Sequence, residues 1–469
     1  QLEDHYFGTI KARILNFMNE VEKELWRLGI PAKTRHNEVA PAQFELAPMF
    51  EELNLSCDHN MLVMEVLRQV ADRNGLVCLL HEKPFAGING SGKHNNWSVA
   101  YGSVNLLNPG NDPHQNAIFL TTLCAVIEAV DKHADLVRAS VASAGNDHRL
   151  GANEAPPAVI SIYLGDQLAD VISQLEKGEP KRSKHAGMMK IGVDTLPALP
   201  KDATDRNRTS PFAFTGNKFE FRAPGSSASC SAPNVVLNTI VGEAFNRIAG
   251  ELEKAGVVGK VEPGKHSAAF HSTLQKILQD IIKTHKRILF NGDGYKADWL
   301  AEAAKRGLPN AATTPEALKA FAVKENVAVF EKAGVFSARE LASRYEIALE
   351  DYTTKVVIEG NCALDIARTL VTPAVKAEYR EALAALAEAN VSGIASGTAS
   401  VHDDLVKLGA GLDAIKTQCA ELEAAISKVE PAEILSAMTA LRTTVDNLEK
   451  IVADEKWPLP KYREMLFLY

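Results

Sequence analysis

Two glutamates stand close together in the stretch RHNEVAPAQFE, with Pro41 between Glu38 and Glu45 and mostly apolar residues around them. Proline has no backbone N–H to donate, so this stretch forms neither a regular helix nor a central strand, and a tight bend there would bring the two carboxylates together. Two close carboxylates repel one another unless they share a proton or a cation. The stretch therefore indicates a divalent cation with oxygen ligands, with solvated glutamates as the alternative.

A glycine-rich segment, GINGSGKH, occupies residues 87–94. It contains the spacing GxxxxGK with which a phosphate-binding loop begins. However, His94 stands where such a loop has its Mg²⁺-binding hydroxyl, and residues 95–104 have the alternation of a strand, whereas a phosphate-binding loop opens a helix. We therefore favour a loop whose bare backbone approaches a small ligand, with His94 as a metal ligand or polar contact. A phosphate-binding loop and a plain glycine turn are the alternatives.

Two later motifs combine an arginine with a carboxylate. In FEFR, Glu220 and Arg222 alternate with phenylalanines, so on a strand the two charges share one face and the rings the other. In HRLGANEAPP, Arg149 and Glu154 lie in a predicted loop before a strand. Arginine binds carboxylates and phosphates with paired donors, so these motifs are typical of a site for anionic ligands.

The elements that must position these residues follow from the apolar pattern. Apolar residues at helical spacing predict helices over 10–28, 58–73, 116–141, 234–254 and 272–289. Alternation and short apolar runs predict strands over 77–80, 97–104, 158–164 and 217–222. Together they predict an α+β fold.

The C-terminal region has the most regular pattern. Its apolar residues recur at alternating spacings of three and four, and they are Leu405, Leu408, Leu412, Ile415, Cys419, Leu422, Ile426 and Val429, followed after Pro431 by Ile434, Met438, Leu441, Val445, Leu448 and Val452. Such a seam on each of two helices, with a short break between them, predicts an antiparallel helical hairpin.

Composition excludes several classes of protein. The chain has 469 residues and a formal net charge of −8, which disfavours nucleic acid as a partner. No apolar run approaches the roughly 20 residues that a bilayer crossing needs, so we expect no membrane partner. None of the six cysteines forms a CxxC motif, and we expect reduced thiols in a cytoplasmic protein.

Four phrases, in this order, resemble glutamine synthetase: KTRHNEVAPAQFE, NGSGKHNNW, RLGANEAPP and DRNRTSPFAFTGNKFEFR. The C-terminal phrases and the insertions resemble the long, type III bacterial branch. The resemblance implies a catalytic core over residues 1–300, with a curved antiparallel sheet and flanking helices. A helical extension over 301–400 and a helical hairpin and tail over 401–469 would follow.

The resemblance also implies roles for single residues. For metal binding, it implies Glu38 and Glu45 at one cation, and His94 and Glu220 at another. For glutamate binding, it implies Asn89, Gly90, Arg149 and Arg222. For ATP binding, it implies Asn96, Ser98, Arg208 and Lys218. The catalytic residues would be Arg149 and Glu154, with Glu154 closing the ammonium site and taking a proton.

The implied reaction is the ATP-dependent ligation of ammonia to L-glutamate, through γ-glutamyl phosphate. Two or more Mg²⁺ or Mn²⁺ ions would serve each site, in a homo-oligomer of stacked rings, most simply a dodecamer. Two alternatives stay open. One is a related ligase that joins glutamate to another amine, and the other is a non-catalytic assembly or regulatory relative.

Two departures from the family pattern carry an expectation of their own. The family's Glu-x-Glu strand and its small N-terminal β-domain find no match in residues 1–469, and Ala213 stands where the family has an arginine. Each metal site is then left with two candidate protein ligands. We therefore expect this chain alone to bind metal weakly and to form little glutamine.

Overall fold

The computed structural model describes residues 4–152, 155–178, 188–189, 199–200, 208–259 and 266–467. These residues form an α+β structure in which helices predominate, which confirms the predicted class. They divide into two compact units, residues 1–346 and 347–469. The boundaries expected near residues 300 and 400 stay predictions. No helix among the described residues is long and apolar enough to cross a membrane.

The α-helices are numbered in chain order. They are α1 Ala12–Arg27, α2 Leu53–Arg73, α3 Ala117–Lys132, α4 Ala134–Ala139, α5 Ala144–Arg149, α6 Gly165–Lys177, α7 Ser231–Lys254, α8 Ala268–His285, α9 Ala297–Lys305, α10 Thr314–Leu318, α11 Lys324–Lys332, α12 Ala338–Asp365, α13 Thr372–Val391, α14 Thr398–Lys428, α15 Pro431–Leu448 and α16 Tyr462–Leu466. A π-helical segment, Ile366–Val371, connects α12 to α13.

The strands are short. They are β1 Ala32–Asn37, β2 Phe44–Pro48, β3 Asn95–Trp97, β4 Ala100–Tyr101, β5 Val104–Asn105, β6 Ile162–Tyr163, β7 Met188–Met189, β8 Leu199–Pro200, β9 Phe212–Phe214 and β10 Phe219–Phe221. One four-stranded sheet has the order β3-β10-β9-β6, and its pairings are antiparallel except for the parallel pair β6–β9.

The main core of the first unit surrounds α3, which is buried on nearly every face and packs against α7 and α8. The aromatic face of the sheet enters this core. Phe212, Phe219 and Phe221 are fully buried, and the rings of Phe212 and Phe219 stack with their centroids 4.6 Å apart. Because alternate residues of a strand point to opposite faces, the core holds β10 by its rings and leaves Glu220 on the other side.

A second, smaller core supports the hairpin of β1 and β2. It is formed where α1 and α2 pack together, and its buried residues are Val21, Leu25, Ile30, Ala32, Val63, Val66 and Val70. Gly29 ends α1 with a φ of +79°, a left-handed conformation that glycine adopts without strain. The chain then turns directly into β1.

Three predicted elements differ from the structure. The helix expected over 116–141 is interrupted at His133, whose ring bonds to the side chains of Asn326 and Glu243. The strand expected over 77–80 does not form, since Val77 and Leu79 are exposed. The strand expected over 97–104 is divided into the ends of β3, β4 and β5, because β4 and β5 pair as a hairpin.

The second unit confirms the predicted helical hairpin. Gly411 of α14 lies against Leu448 of α15, and Ile426 and Ile434 both approach Gly360, so the two helices are antiparallel. Most of the predicted seam is buried, namely Leu405, Leu408, Ile415, Cys419, Leu422, Ile434, Leu441, Leu448 and Val452. The structure adds α13, which also packs along α14 and makes the hairpin part of a helical bundle.

Candidate functional site

The turn between β1 and β2 brings three possible metal ligands together. The strand register pairs His36 with Glu45, and His36 Nε2 lies 3.0 Å from Glu45 Oε2. The backbone N–H of Glu38 donates to the carbonyl of Gln43 at 2.8 Å and closes the turn. One ligand atom each from His36, Glu38 and Glu45 lies within 4.8 Å of the other two. The two glutamates are therefore close, as the bend predicts, while their binding of metal stays a prediction.

Burial and charge repulsion both act on the carboxylates of this cluster. Burial, a hydrogen bond with Glu45 and the charge of Glu45 raise the pKa of Glu38 to about 7, against the lowering influence of His36 and Arg208. The pair of carboxylates thus retains a proton near neutral pH, and a bound cation would take its place. Two carboxylates and an imidazole fit a divalent cation such as Mg²⁺ or Mn²⁺.

Strand β10 presents the second charged set. Glu220 Oε1 lies 2.9 Å from Nδ1 of His94, and Glu220 Oε2 accepts a hydrogen bond from Nη2 of Arg222 at 3.0 Å. Burial acts to raise the pKa of Glu220, but the hydrogen bond from His94 and the charge of Arg222 outweigh it and lower this pKa to about 2. The carboxylate is therefore ionised at every physiological pH. As predicted, Glu220 and Arg222 share the face opposite the phenylalanine rings.

The glycine loop, residues 89–92, is packed closely by its neighbours. Asn89 is buried, and its carbonyl accepts a hydrogen bond from Nε2 of Gln43 at 2.5 Å. A Cβ on Gly90 would lie 2.5 Å from the carbonyl oxygen of Glu82, so only glycine fits there. The loop leads into β3 instead of a helix, which confirms that it is not a phosphate-binding loop of the GxxxxGK type.

Arg149 is the last residue of α5, where a loop was predicted, and it is 4% exposed. Its Nη2 donates to the carbonyl of Arg222 at 2.9 Å, and its Nη1 lies 3.4 Å from the carbonyls of Ala223 and Pro224. Arg149 therefore ties α5 to the end of β10, and Arg222 lies beside it. Glu154 falls outside the described residues, so its place at an ammonium site stays a prediction.

Three of the four residues expected at ATP, Asn96, Ser98 and Lys218, lie in or directly beside strands β3 and β10. The hydroxyl of Ser98 donates to Asn217, the neighbour of Lys218, and Asn96 is paired with Glu220 across the strands. The guanidinium carbon of Arg208 lies 5.4 Å from the ring centroid of Tyr6. Arg208 thus stands on the side of Glu38, whose pKa its charge lowers.

Comparison with known proteins shows which family this chain resembles. A model described as the glutamine synthetase catalytic domain matches residues 3–161, and one described as the glutamine synthetase C-terminal domain matches residues 273–390. The type-3 glutamine synthetase of Dictyostelium discoideum is 46% identical over 100% of this chain and 65% of its own length. A glutamine synthetase of Butyrivibrio fibrisolvens is 41% identical over 100% of this chain and 67% of its own.

The chain belongs to the glutamine synthetase family. It spans about two thirds of the length of the curated glutamine synthetases that it matches. A solved structure of a protein called GmaS, without ligand, has a TM-score of 0.46 at 16% identity, over 76% of this chain and 63% of that one. That likeness in structure is distant.

The sequence patterns did not single out several residues that contact the candidate site. They are His36, Gln43, Glu82 and Tyr6, whose ring lies 5.0 Å from that of His36. The sequence offered a signal for His36 alone, which stands two positions before Glu38 in the same RHNEVAPAQFE stretch.

Proposed function

We propose that this chain carries the catalytic centre of a glutamine synthetase, which uses ATP to join ammonia to L-glutamate. The observation that carries the proposal is the pair of charged sets, His36 with Glu38 and Glu45, and His94 with Glu220. The Gln43–Asn89 hydrogen bond connects the first set to the loop that leads to the second. The identity to glutamine synthetases along the whole chain supports the same conclusion.

The proposed reaction has two steps. The γ-carboxylate of glutamate is a poor electrophile, so ATP first phosphorylates it to γ-glutamyl phosphate, and ammonia then displaces phosphate. Divalent cations, Mg²⁺ or Mn²⁺, supply positive charge beside the phosphoryl oxygens when they are bound. The candidate ligands are His36, Glu38 and Glu45 for one ion and His94 with Glu220 for another. Each active site would thus hold two or more ions.

The chain's own residues hold the two larger substrates. Arg149 and Arg222 are both almost fully buried, and we assign them to the carboxylates of glutamate. We assign the backbone of Asn89 and Gly90 to the amino end of the same substrate. The proposed contacts of ATP are Asn96, Ser98, Arg208 and Lys218. Rigid arginines orient the substrate, so that the reacting oxygen meets the phosphoryl group in one geometry.

Proton transfer is assigned to Glu154. Ammonium cannot attack until it loses a proton, and a carboxylate both attracts the cation and accepts the proton. We further propose that the chain acts in a ring-shaped homo-oligomer, with a dodecamer as the expected form. Its six free cysteines support a reducing compartment, the cytoplasm.

The test is an assay of the purified chain with ATP, Mg²⁺, L-glutamate and ammonium. Glutamine and inorganic phosphate should appear in equal amounts, at the low rate expected of this chain alone, and Glu45→Gln should lose most of that rate because it removes a proposed metal ligand. Glu65→Gln, on the exposed surface of α2, is the matched control and should keep the rate. Phosphate release that depends on methylamine but not on ammonium would replace this proposal with another glutamate–amine ligase.

A second assay tests the role of Glu154. Hydroxylamine is uncharged near neutral pH and needs no deprotonation before it attacks. Glu154→Gln should therefore slow the reaction with ammonium far more than the reaction with hydroxylamine. Equal losses with both nucleophiles would remove the assignment of Glu154 as the base.

A further inference from the structure

A buried carboxylate, that of Glu82, lies beneath the glycine loop and has no part in the roles assigned above. Glu82 is 1% exposed and accepts hydrogen bonds from the backbone N–H and the hydroxyl of Ser227, at 3.0 and 2.6 Å. Burying a carboxylate is unfavourable unless hydrogen bonds or an opposite charge compensate for the lost water. The structure around Glu82 supplies both.

Two glycines fix the position of this carboxylate. A Cβ on Gly145 would overlap Oε2 of Glu82, and a Cβ on Gly225 would overlap Oε1. The carboxylate therefore occupies a slot between α5 and the segment that follows β10. Neither wall of the slot has room for a side chain, so Glu82 stays where its hydrogen bonds to Ser227 hold it.

Two opposite charges interact with that of Glu82, those of Arg149 and Lys93, and the Arg149 guanidinium is the one packed against the glycine loop. Burial lowers the pKa of Arg149 to about 10, and the negative charge of Glu82 acts against that lowering. The guanidinium lies flat against Gly92, where a Cβ would overlap it, and the Cγ of Arg149 lies 3.3 Å from the Cβ position of Gly90. The glycine loop thus lies directly on this arginine.

The backbone of Glu82 supports the same loop. Its carbonyl accepts a hydrogen bond from the N–H of Ser91 at 2.9 Å and lies against Gly90. One residue therefore contacts the loop through its backbone and the segment after β10 through its side chain. Its charge compensates the arginine that connects the two.

We propose that Glu82 is a positioning residue, whose buried charge balances that of Arg149 and holds it beneath the loop of residues 89–92, so that the glutamate subsite keeps one conformation. The inference rests on the proposed function, which assigns this loop and Arg149 to glutamate. Glu82 itself need not touch the substrate, because it acts through Arg149 and Ser91.

The test is Glu82→Gln, which keeps the shape and an acceptor for Ser227 but removes the charge. The matched control is Glu128→Gln, because Glu128 is also buried and accepts two hydrogen bonds from Arg247, away from the glycine loop. Glu82→Gln should raise the KM for glutamate about tenfold or more, as expected when a buried charge loses its partner. The KM for ATP should stay within about twofold, because this charge pair lies under the glutamate loop.

Hydrogen exchange of the same variants gives a readout that needs no activity. Glu82→Gln should speed exchange in peptides that cover residues 82–97 and 219–230, while Glu128→Gln should leave those peptides protected. Should Glu82→Gln fail to fold, Ser227→Ala takes its place. It removes one hydrogen bond to the carboxylate, so the same changes are expected at smaller size.

The outcomes separate this inference from the proposed function. If the unmodified chain forms glutamine and Glu82→Gln changes neither the KM for glutamate nor local exchange, the inference is overturned and the function stands. If the unmodified chain forms no glutamine, the proposed function fails, and faster local exchange still supports Glu82 as the residue that orders the loop. Equal changes in Glu82→Gln and Glu128→Gln would show a general loss of stability and overturn the inference.

Discussion

The side-chain amide of Gln43 donates a hydrogen bond to the carbonyl oxygen of Asn89, 2.5 Å away. Gln43 belongs to the turn that carries Glu38 and Glu45, and Asn89 belongs to the glycine loop. The bond therefore connects the candidate metal hairpin, which rests on its own small core, to the loop assigned to glutamate. It gives the proposed site a mechanical link between metal and substrate.

Removing this link should separate the two functions. We expect Gln43→Ala to raise the KM for glutamate about five- to tenfold, since a lost hydrogen bond contributes about 1 kcal/mol. Binding of Mn²⁺, measured by calorimetry, should change much less, because His36, Glu38 and Glu45 all remain. Gln69→Ala, which removes an exposed glutamine side chain on α2, should leave both measurements unchanged. A loss of Mn²⁺ affinity as large as the loss of glutamate affinity would contradict the link.

Glu220 should matter chiefly through its charge. Glu220→Gln keeps the size of the side chain but removes the negative charge that His94 and Arg222 share. We expect Mn²⁺ affinity to fall about tenfold or more, because the candidate carboxylate ligand of this ion is lost. Glu302→Gln, at a partly buried pair with Arg306 in α9, is the control. An unchanged Mn²⁺ titration of Glu220→Gln would remove Glu220 from the proposed metal ligands.

Acidification should lower the stability of the first unit, because it protonates Glu243. Burial acts to raise the pKa of Glu243, but hydrogen bonds from Lys132 and His133 outweigh it and hold this pKa below the ordinary 4.5. A carboxylate whose pKa is lower in the folded state stabilises the fold fully above its unfolded pKa, and that contribution is lost as the pH falls through the folded pKa. In urea unfolding, the difference between the unmodified chain and Glu243→Gln should thus be constant at neutral pH and shrink below about pH 4.5.

The control for this experiment lies on the same helix. Glu253 is exposed near the end of α7, and Glu253→Gln should give curves that follow the unmodified chain at every pH. A difference for Glu243→Gln that grows on acidification would mean that the carboxylate is no better stabilised in the folded state than in the unfolded chain.

Two glycines of α14 should respond to alanine in opposite directions. A Cβ on Gly411 would crowd three carbon atoms of Leu448, the farthest at 3.0 Å, so Gly411→Ala should destabilise the hairpin by about 1–3 kcal/mol. A Cβ on Gly409 meets only Tyr379 at an ordinary 3.5 Å, and alanine is the better helix former, so Gly409→Ala should stabilise by about 0.5–1 kcal/mol. Thermal unfolding of the two variants side by side checks both signs.

Patterns in the sequence predicted the features that depend on residues close to one another along the chain. The alternation in FEFR placed Glu220 opposite the phenylalanine rings, and the heptad spacing gave the antiparallel hairpin. What the patterns could not give depends on partners far along the chain. The helix predicted over 116–141 is interrupted where His133 meets Asn326, 193 residues away, and Glu82 meets Ser227 145 residues away. No spacing rule reaches that far, so Gln43 and Glu82 had no signal of their own.

Strand β10 is only three residues long, yet it has Phe219 and Phe221 in the core and Glu220 in the charged set. A strand this short cannot bend between its two faces, so any repacking of those rings would move the carboxylate by a comparable distance. Mutations at these positions therefore cannot change the stability of the core without also changing the position of the Glu220 carboxylate. Substitutions of the two phenylalanines that merely loosen the core should therefore also change which cation the proposed site prefers.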